Sequence, residues 1–264
     1  MTEVFEELVG LLRQGRPVAL ASIISTSGST PRGPGARMIV TADGEIRWTI
    51  GGGGFEAAVA KDAKDAISSG KSLVKEYDLC GEGEGGTGMI CGGRAIVVID
   101  VVSPRQRLVI FGAGHVGRAL AETACGLELA ISVVDDRPEC LSPESFPAGV
   151  TLFLTSADYD KDVPILDRNT FAAIVTRSHE SDLKALRCVL QRETAYVGMI
   201  GSKRKVSEVF KRLKADGIPT QALERVHAPI GLDIGSKTPK EVAISVLAEI
   251  VKLRNTGRKA VGSR

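Results

Sequence analysis

Apolar positions in the first hundred residues follow two periods. Val4, Leu8, Leu11 and Leu12 share one stripe of a 3.6-residue repeat closed by Gly15, which predicts a helix over 3–15. The run Val18 to Ile24 predicts a strand, and Arg37–Val40 and Ile46–Ile50 predict two more, joined through Ala42-Asp43-Gly44. Phe55, Val59, Ala63 and Ile67 mark the inner face of a second helix, and Leu73–Leu79 and Arg94–Val102 read as further strands. Three stretches of small residues interrupt these elements: 25–36, Gly51-Gly52-Gly53-Gly54, and Cys80 to Gly93. Loops carried on a rigid scaffold commonly hold function. Four glycines ahead of a helix also let a ligand or another backbone come close.

Past Ser103-Pro104-Arg105-Gln106 the pattern changes to short apolar runs alternating with helical stretches. Strands are expected at 107–111, 129–134, 150–154, 171–176 and 195–199, with helices starting at Val116, over 179–191 and over 203–215. The last helix opens Thr238-Pro239-Lys240-Glu241, a capping box with proline at its first position. The fold class read from this is α/β. A small N-terminal α+β domain (1–103) with glycine-rich loops precedes a C-terminal Rossmann-like domain (104–264) with a parallel sheet.

The second part opens on the most informative stretch. Arg107 to Phe111 runs into Gly112-Ala113-Gly114-His115-Val116-Gly117, and the next apolar run ends in Asp135-Asp136. Strand, glycine turn, helix, strand and acidic end are the parts of a dinucleotide-binding βαβ unit. Gly112 would make the tight turn, Gly114 would admit a pyrophosphate, and Gly117 would let helix and strand approach. The helix N-terminus would supply N–H groups to phosphate. A glycine turn that merely packs is the competing reading. Lys203-Arg204-Lys205 open a helix where cations oppose the dipole, which a shared anion would explain; a solvated basic face is the alternative. Thr176-Arg177-Ser178-His179 leaves a strand at the end where such sheets bind ligands.

Composition narrows the function classes. The chain has 264 residues, 43% hydrophobic, and no apolar run near the roughly 18 residues of a membrane span. The start, Met1-Thr2-Glu3-Val4-Phe5-Glu6-Glu7, lacks the basic region of a secretory signal, so a cytoplasmic protein with no membrane partner is expected. The net charge of +2 argues against nucleic acid as a partner. It divides unevenly: residues 1–104 hold 10 Lys+Arg against 13 Asp+Glu, and residues 105–264 hold 24 against 19. Any anion-binding surface is therefore expected in the second part rather than the first. The odd count of five cysteines, with no CxxC pair, predicts free thiols.

Together these stretches resemble the XdhC/CoxI family, accessory proteins of molybdenum-containing hydroxylases such as xanthine dehydrogenase. In the first domain the resemblance rests on Gly28-Ser29-Thr30-Pro31-Arg32, on Thr49 to Gly53 with Glu56, and on Gly88-Met89-Ile90-Cys91-Gly92-Gly93. In the second it rests on Phe111 to Gly117 with Asp135-Asp136-Arg137, on Thr176 to His179, on Tyr196 to Ser202, and on His227 to Gly235 through Thr238-Pro239 and Glu241. It implies a non-catalytic carrier, with no catalytic residues of its own, that binds the molybdenum cofactor (molybdopterin, also as a dinucleotide). Such a carrier supports sulfuration by a cysteine desulfurase and insertion into the apo-hydroxylase. A homo-oligomer is expected.

The cofactor-binding candidates are Arg32, Gly52, Gly53, Glu56, Cys91, Gly112, Gly114, His115, Gly117, Asp136, His179, Lys203 and Arg204, with Cys91 as metal ligand. Many family members read Gly-Gly-Gly-Cys where this chain has Gly54, which leaves Cys91 as the one motif thiol. The alternatives are an NAD(P)-dependent oxidoreductase with Asp135 or Asp136 on the ribose, and a nucleotide-sensing regulator on the same Rossmann unit.

Overall fold

Val4, Leu8 and Leu11 bury against Val18 and Ile39, which seats α1 (Thr2–Arg13) on one face of an antiparallel sheet. The sheet comprises β1 (Val18–Ser27), β2 (Arg37–Thr41), β3 (Ile46–Trp48), β4 (Leu73–Asp78) and β5 (Arg94–Val102), in the order β3-β2-β1-β5-β4. Because side chains alternate along a strand, Ala19, Ala21, Met38 and Val40 point to the other face. There they pack with Phe55, Val59 and Ala63 of α2 (Gly53–Ser69). This computed structural model describes residues 2–79 and 92–259. The chain divides into two compact units, Met1–Pro104 and Arg105–Gly257.

Two edges of the first unit depart from the sequence reading. β1 runs on to Ser27 rather than ending at Ile24, because a bulge at Ile23/Ser25 lets it keep pairing with β5. β3 stops at Trp48 rather than Ile50, where the backbone turns to φ +66°.

The second unit is a six-stranded parallel sheet with helices on both faces. Its strands are β6 (Arg107–Phe111), β7 (Ala130–Asp135), β8 (Thr151–Leu154), β9 (Thr170–Ile174), β10 (Tyr196–Met199) and β11 (Val226–His227). The spatial order β11-β10-β9-β6-β7-β8 is the doubly wound order of a Rossmann fold counted from β6. Alternation again divides the core. Leu108 and Ile110 of β6 join a cluster with Leu120 and Ala124 of α3 (His115–Ala124) and Val246 and Ile250 of α7 (Pro239–Lys259). Val109 and Phe111 join the opposite cluster, with Leu186 of α4 (His179–Leu190) and Val209 and Leu213 of α5 (Lys203–Ala215).

The two-residue β11 and the short α6 (Thr220–Glu224) were not expected; elements so short carry no period. The capping box forms as read: Thr238 N–H donates to Glu241 at 3.0 Å and Glu241 N–H to the Thr238 hydroxyl at 3.3 Å. Cys125 follows the end of α3 and is exposed.

Candidate functional site

The reversal of strand order falls between β6 and β9, and the glycine turn leaves β6 at that point. Gly112 has φ +118°, and a Cβ there would lie 2.5 Å from the Val175 carbonyl oxygen. The turn is thus pressed against the end of β9, and only glycine fits. A Cβ on Gly117 would lie 1.8 Å from the Gly112 carbonyl oxygen, so α3 packs directly on the turn. Gly114 differs from both: nothing lies within 4 Å of its Cβ position. The first turn of α3 is therefore open to an approaching group, with its N–H donors pointing there.

Around that opening lies a cleft of about 410 Å³ lined by Gly114, His115, Arg118, Arg137, Thr176 and Arg177, with Cys140 also in its wall. Arg118 Nε donates to the Ala113 carbonyl at 3.1 Å while its guanidinium lies over the Phe146 ring. Asp135, at the end of β7, is buried. It accepts from Ala113 N–H at 2.7 Å and from Arg137 through N–H, Nε and Nη2 at 2.9–3.0 Å. Burial pushes its carboxyl pKa up, but the Arg137 guanidinium and the Ala113 N–H prevail and hold it below the usual carboxylate range. Asp136 is gripped by both Nη groups of Arg177, at 2.6 and 2.8 Å.

Beyond Ile200 a second cavity of about 660 Å³ opens, lined by Gly201, Ser202, Lys203, residues 229–236, Val242 and Ser245. Lys203 is exposed and faces it, and Arg204 is exposed beside it. Lys205 is engaged within the chain. Its ammonium lies 2.5 Å from the fully buried Asp182 carboxylate, which also accepts from the Thr176 hydroxyl at 2.6 Å. Below the cavity, Glu249 receives Tyr196 OH at 2.5 Å and Gly231 N–H at 2.9 Å, and lies 3.0 Å from His227 Nδ1. This network fixes the start of the 229–236 loop.

In the first unit the glycine-rich loops meet. A Cβ on Gly51 would lie 2.7 Å from Pro31 Cβ, and one on Gly28 would lie 2.8 Å from the Gly92 carbonyl oxygen. Glu56 braces the second loop. Its Oε2 accepts from the Thr49 hydroxyl at 2.6 Å, Ile50 N–H at 3.1 Å and Gly52 N–H at 3.2 Å. Gly52 caps α2 and Gly53 begins it, while Arg32 is exposed on the neighbouring loop. Cys91 lies outside the described residues.

The sequence model of the XdhC Rossmann domain matches residues 108–250, and that of the XdhC and CoxI family matches residues 11–78. The chain belongs to the XdhC/CoxI family. Among relatives, it is 38% identical over 252 residues to YqeB of Escherichia coli, a protein described as uncharacterized, covering 96% of this chain and 46% of YqeB. It is 28% identical over 156 residues to a protein of Bacillus subtilis described as a probable xanthine dehydrogenase subunit, covering 59% of this chain and 45% of that protein. The chain thus spans about half the length of each of these two relatives. Against PaoD of E. coli, named a molybdenum cofactor insertion chaperone, it is 24% identical over 278 residues, covering 93% and 86%. A crystal structure of a Bacillus halodurans protein described as a xanthine dehydrogenase superposes with TM-score 0.52 at 21% identity, covering 95% of both chains; it shares the fold.

Of the residues singled out from the sequence of this XdhC/CoxI member, the fold brings Gly114 and His115 to the cleft, with Gly112 and Gly117 packed in the turn that shapes it and Asp136 held by the cleft-lining Arg177. Lys203 lies at the adjoining cavity. His179 is exposed at the first position of α4 and is not among the cleft-lining residues. Arg118 and the Glu249 network escaped the sequence reading. No local pattern marks a side chain whose partner lies 22 or 53 residues away.

Proposed function

We propose that the chain is an accessory protein that holds the molybdenum cofactor for insertion into a xanthine dehydrogenase-type hydroxylase, with sulfuration by a cysteine desulfurase taking place on the held cofactor. The observation that carries the reading is a relative of matching extent named as an insertion chaperone, and it is supported by a cleft whose open glycine turn, helix start and arginines suit a phosphate. The open Gly114 face and the α3 N–H donors fit the phosphate of a pterin. Arg118, Arg137 and Arg177 supply the positive surroundings, and His115 lies among them as a further contact. When bound, the cofactor supplies the molybdenum chemistry; the chain's own residues bind the organic part and orient it. The glycine loops of the first unit, with Arg32 and Cys91, are proposed separately as cofactor-binding elements of that unit. No helix among the described residues is long and apolar enough to cross a membrane, and we place the activity in the cytosol.

The test is mass spectrometry of small molecules released from anaerobically purified protein, with metal analysis. A molybdenum-bearing pterin is the expected result. Bound NAD(P) would instead favour a nucleotide-dependent oxidoreductase or sensor, which the strand order and glycine turn also accommodate. The accessory role is checked by activating an apo-hydroxylase with the loaded protein. Cys91→Ala is expected to fold and yet abolish that activation.

A further inference from the structure

In a Rossmann unit that binds NAD, the acid at the end of the second strand accepts the ribose hydroxyls. Here neither acid is available for that. Asp135 already takes four N–H groups, from Ala113 N and from Arg137 N, Nε and Nη2. A carboxylate offers about four lone-pair positions, and Asp135 is only 1% exposed. Asp136 holds Arg177 with both oxygens, and its side chain is 8% exposed. What this end of the cleft presents to solvent is guanidinium: the Arg137 and Arg177 side chains are 29% and 44% exposed and both line the cleft. Arg137 Nη1 has no hydrogen-bond partner among the described residues.

We propose that this end of the cleft is a phosphomonoester subsite, so that the site favours a ligand with a terminal phosphate there over one with a bare ribose diol. The inference deepens the phosphate-binding reading above and rests on it. A diol would meet a saturated carboxylate and leave its hydroxyls unpaired in a partly dry cleft, which is costly. A phosphate would meet two planar forks whose geometry matches it, held in place by the acids behind them. Arg118, Arg137 and Arg177 outnumber Asp135 and Asp136, and the α3 N-terminus adds to the positive side. The same phosphate could belong to a nicotinamide dinucleotide or to a pterin.

The experiment uses two probe pairs, each differing by one phosphate: NADP⁺ against NAD⁺, and a pterin phosphate monoester against its dephosphorylated form. Affinities for the full chain are measured by calorimetry at low and high salt. In at least one pair the phosphorylated member should bind about tenfold tighter or better, with the advantage shrinking as salt rises. Arg137→Ala should erase that advantage. Because this variant leaves Asp135 without its partner, Arg177→Gln, at an exposed position, serves as the second variant and should reduce the advantage. The pair that discriminates identifies the source of the phosphate. Equal affinities within both pairs, or an advantage untouched by both variants, would overturn the subsite. Failure of the carrier reading is separate: NADP⁺ selectivity with no pterin released removes the carrier and keeps the subsite, and pterin release without phosphate selectivity does the reverse.

Discussion

Arg137 folds back on Asp135 so that Nε lies 2.9 Å from one carboxylate oxygen and Nη2 3.0 Å from the other. Through the Ala113 N–H, the same carboxylate ties the glycine turn to the end of β7. One buried acid thereby sets both the shape of the turn and the direction of the arginine.

This pairing has a pH signature. The Asp135 carboxyl titrates below its ordinary 3.8 in the folded chain, with burial opposing the shift and Arg137 and Ala113 prevailing. A depressed folded pKa means stabilisation that is complete above the unfolded value and is lost as pH falls through the folded one. Asp135→Asn should cost about 3 kcal/mol at pH 7, the low end for breaking a buried pair, since Arg137 keeps some solvent. The difference from the parent protein should narrow below about pH 4. Denaturant titrations at pH 7 and pH 3 measure it, and a gap that does not change with pH would place the cost elsewhere.

Gly117 and Gly114 should respond in opposite ways to the same substitution. Gly117→Ala would set a methyl 1.8 Å from the Gly112 carbonyl oxygen, and backbone cannot yield as a side chain can. It should destabilise the second unit by about 3 kcal/mol or more. Gly114→Ala meets nothing within 4 Å and should cost under about 1 kcal/mol as a changed helix cap. It should nonetheless weaken phosphate-bearing ligands by crowding the open face. Thermal melts with binding titrations separate the two. A Gly114→Ala protein that binds as before would mean the ligand does not approach there.

The strand succession and the glycine turn were legible because each has a local cause: alternation, a 3.6-residue stripe, or a turn that only glycine can make. Two kinds of feature were not. β11 pairs only Val226 and His227 with β10, too short a run to show a period. The fates of the charged residues depend on partners distant in the chain. Asp135 looked like a ribose acceptor until its four donors were in place, and Lys205 looked like Lys203 until Asp182 of α4 was found beside it. Glu56 was singled out as a cofactor-binding residue beside the glycine loop, and within the chain its carboxylate touches the loop itself.

Glu56 should therefore act through loop order. Its Oε2 gathers three donors from residues 49–52. Glu56→Ala strands those donors and should cost about 1–3 kcal/mol, while Glu56→Gln retains a carbonyl acceptor and should recover part of the loss. Amide exchange at Ile50 and Gly52 is the direct readout. Unchanged protection in Glu56→Ala would show that the glycine loop holds its shape without the brace.

Lys203 and Lys205, two positions apart in the first turn of α5, should separate most clearly of all. Lys203 is exposed at the rim of the larger cavity. Its removal should move stability by no more than about 0.5 kcal/mol, because an exposed cation at a helix start loses little and even relieves dipole repulsion. Its effect should fall on anion affinity, and raised salt should shrink that effect by screening the charge. Lys205 is held against a carboxylate with no exposure of its own, and that carboxylate also anchors Thr176 at the end of β9. Lys205→Ala leaves the Asp182 charge buried without its ammonium and should cost about 3 kcal/mol or more. Lys205→Met/Asp182→Leu, which removes both charges, should recover much of that loss. Melting curves for the three variants, with anion titrations at two salt concentrations, decide the matter. If Lys205→Ala is as stable as Lys203→Ala and loses anion binding to the same degree, Lys205 is a ligand contact after all and the ion pair with Asp182 is dispensable.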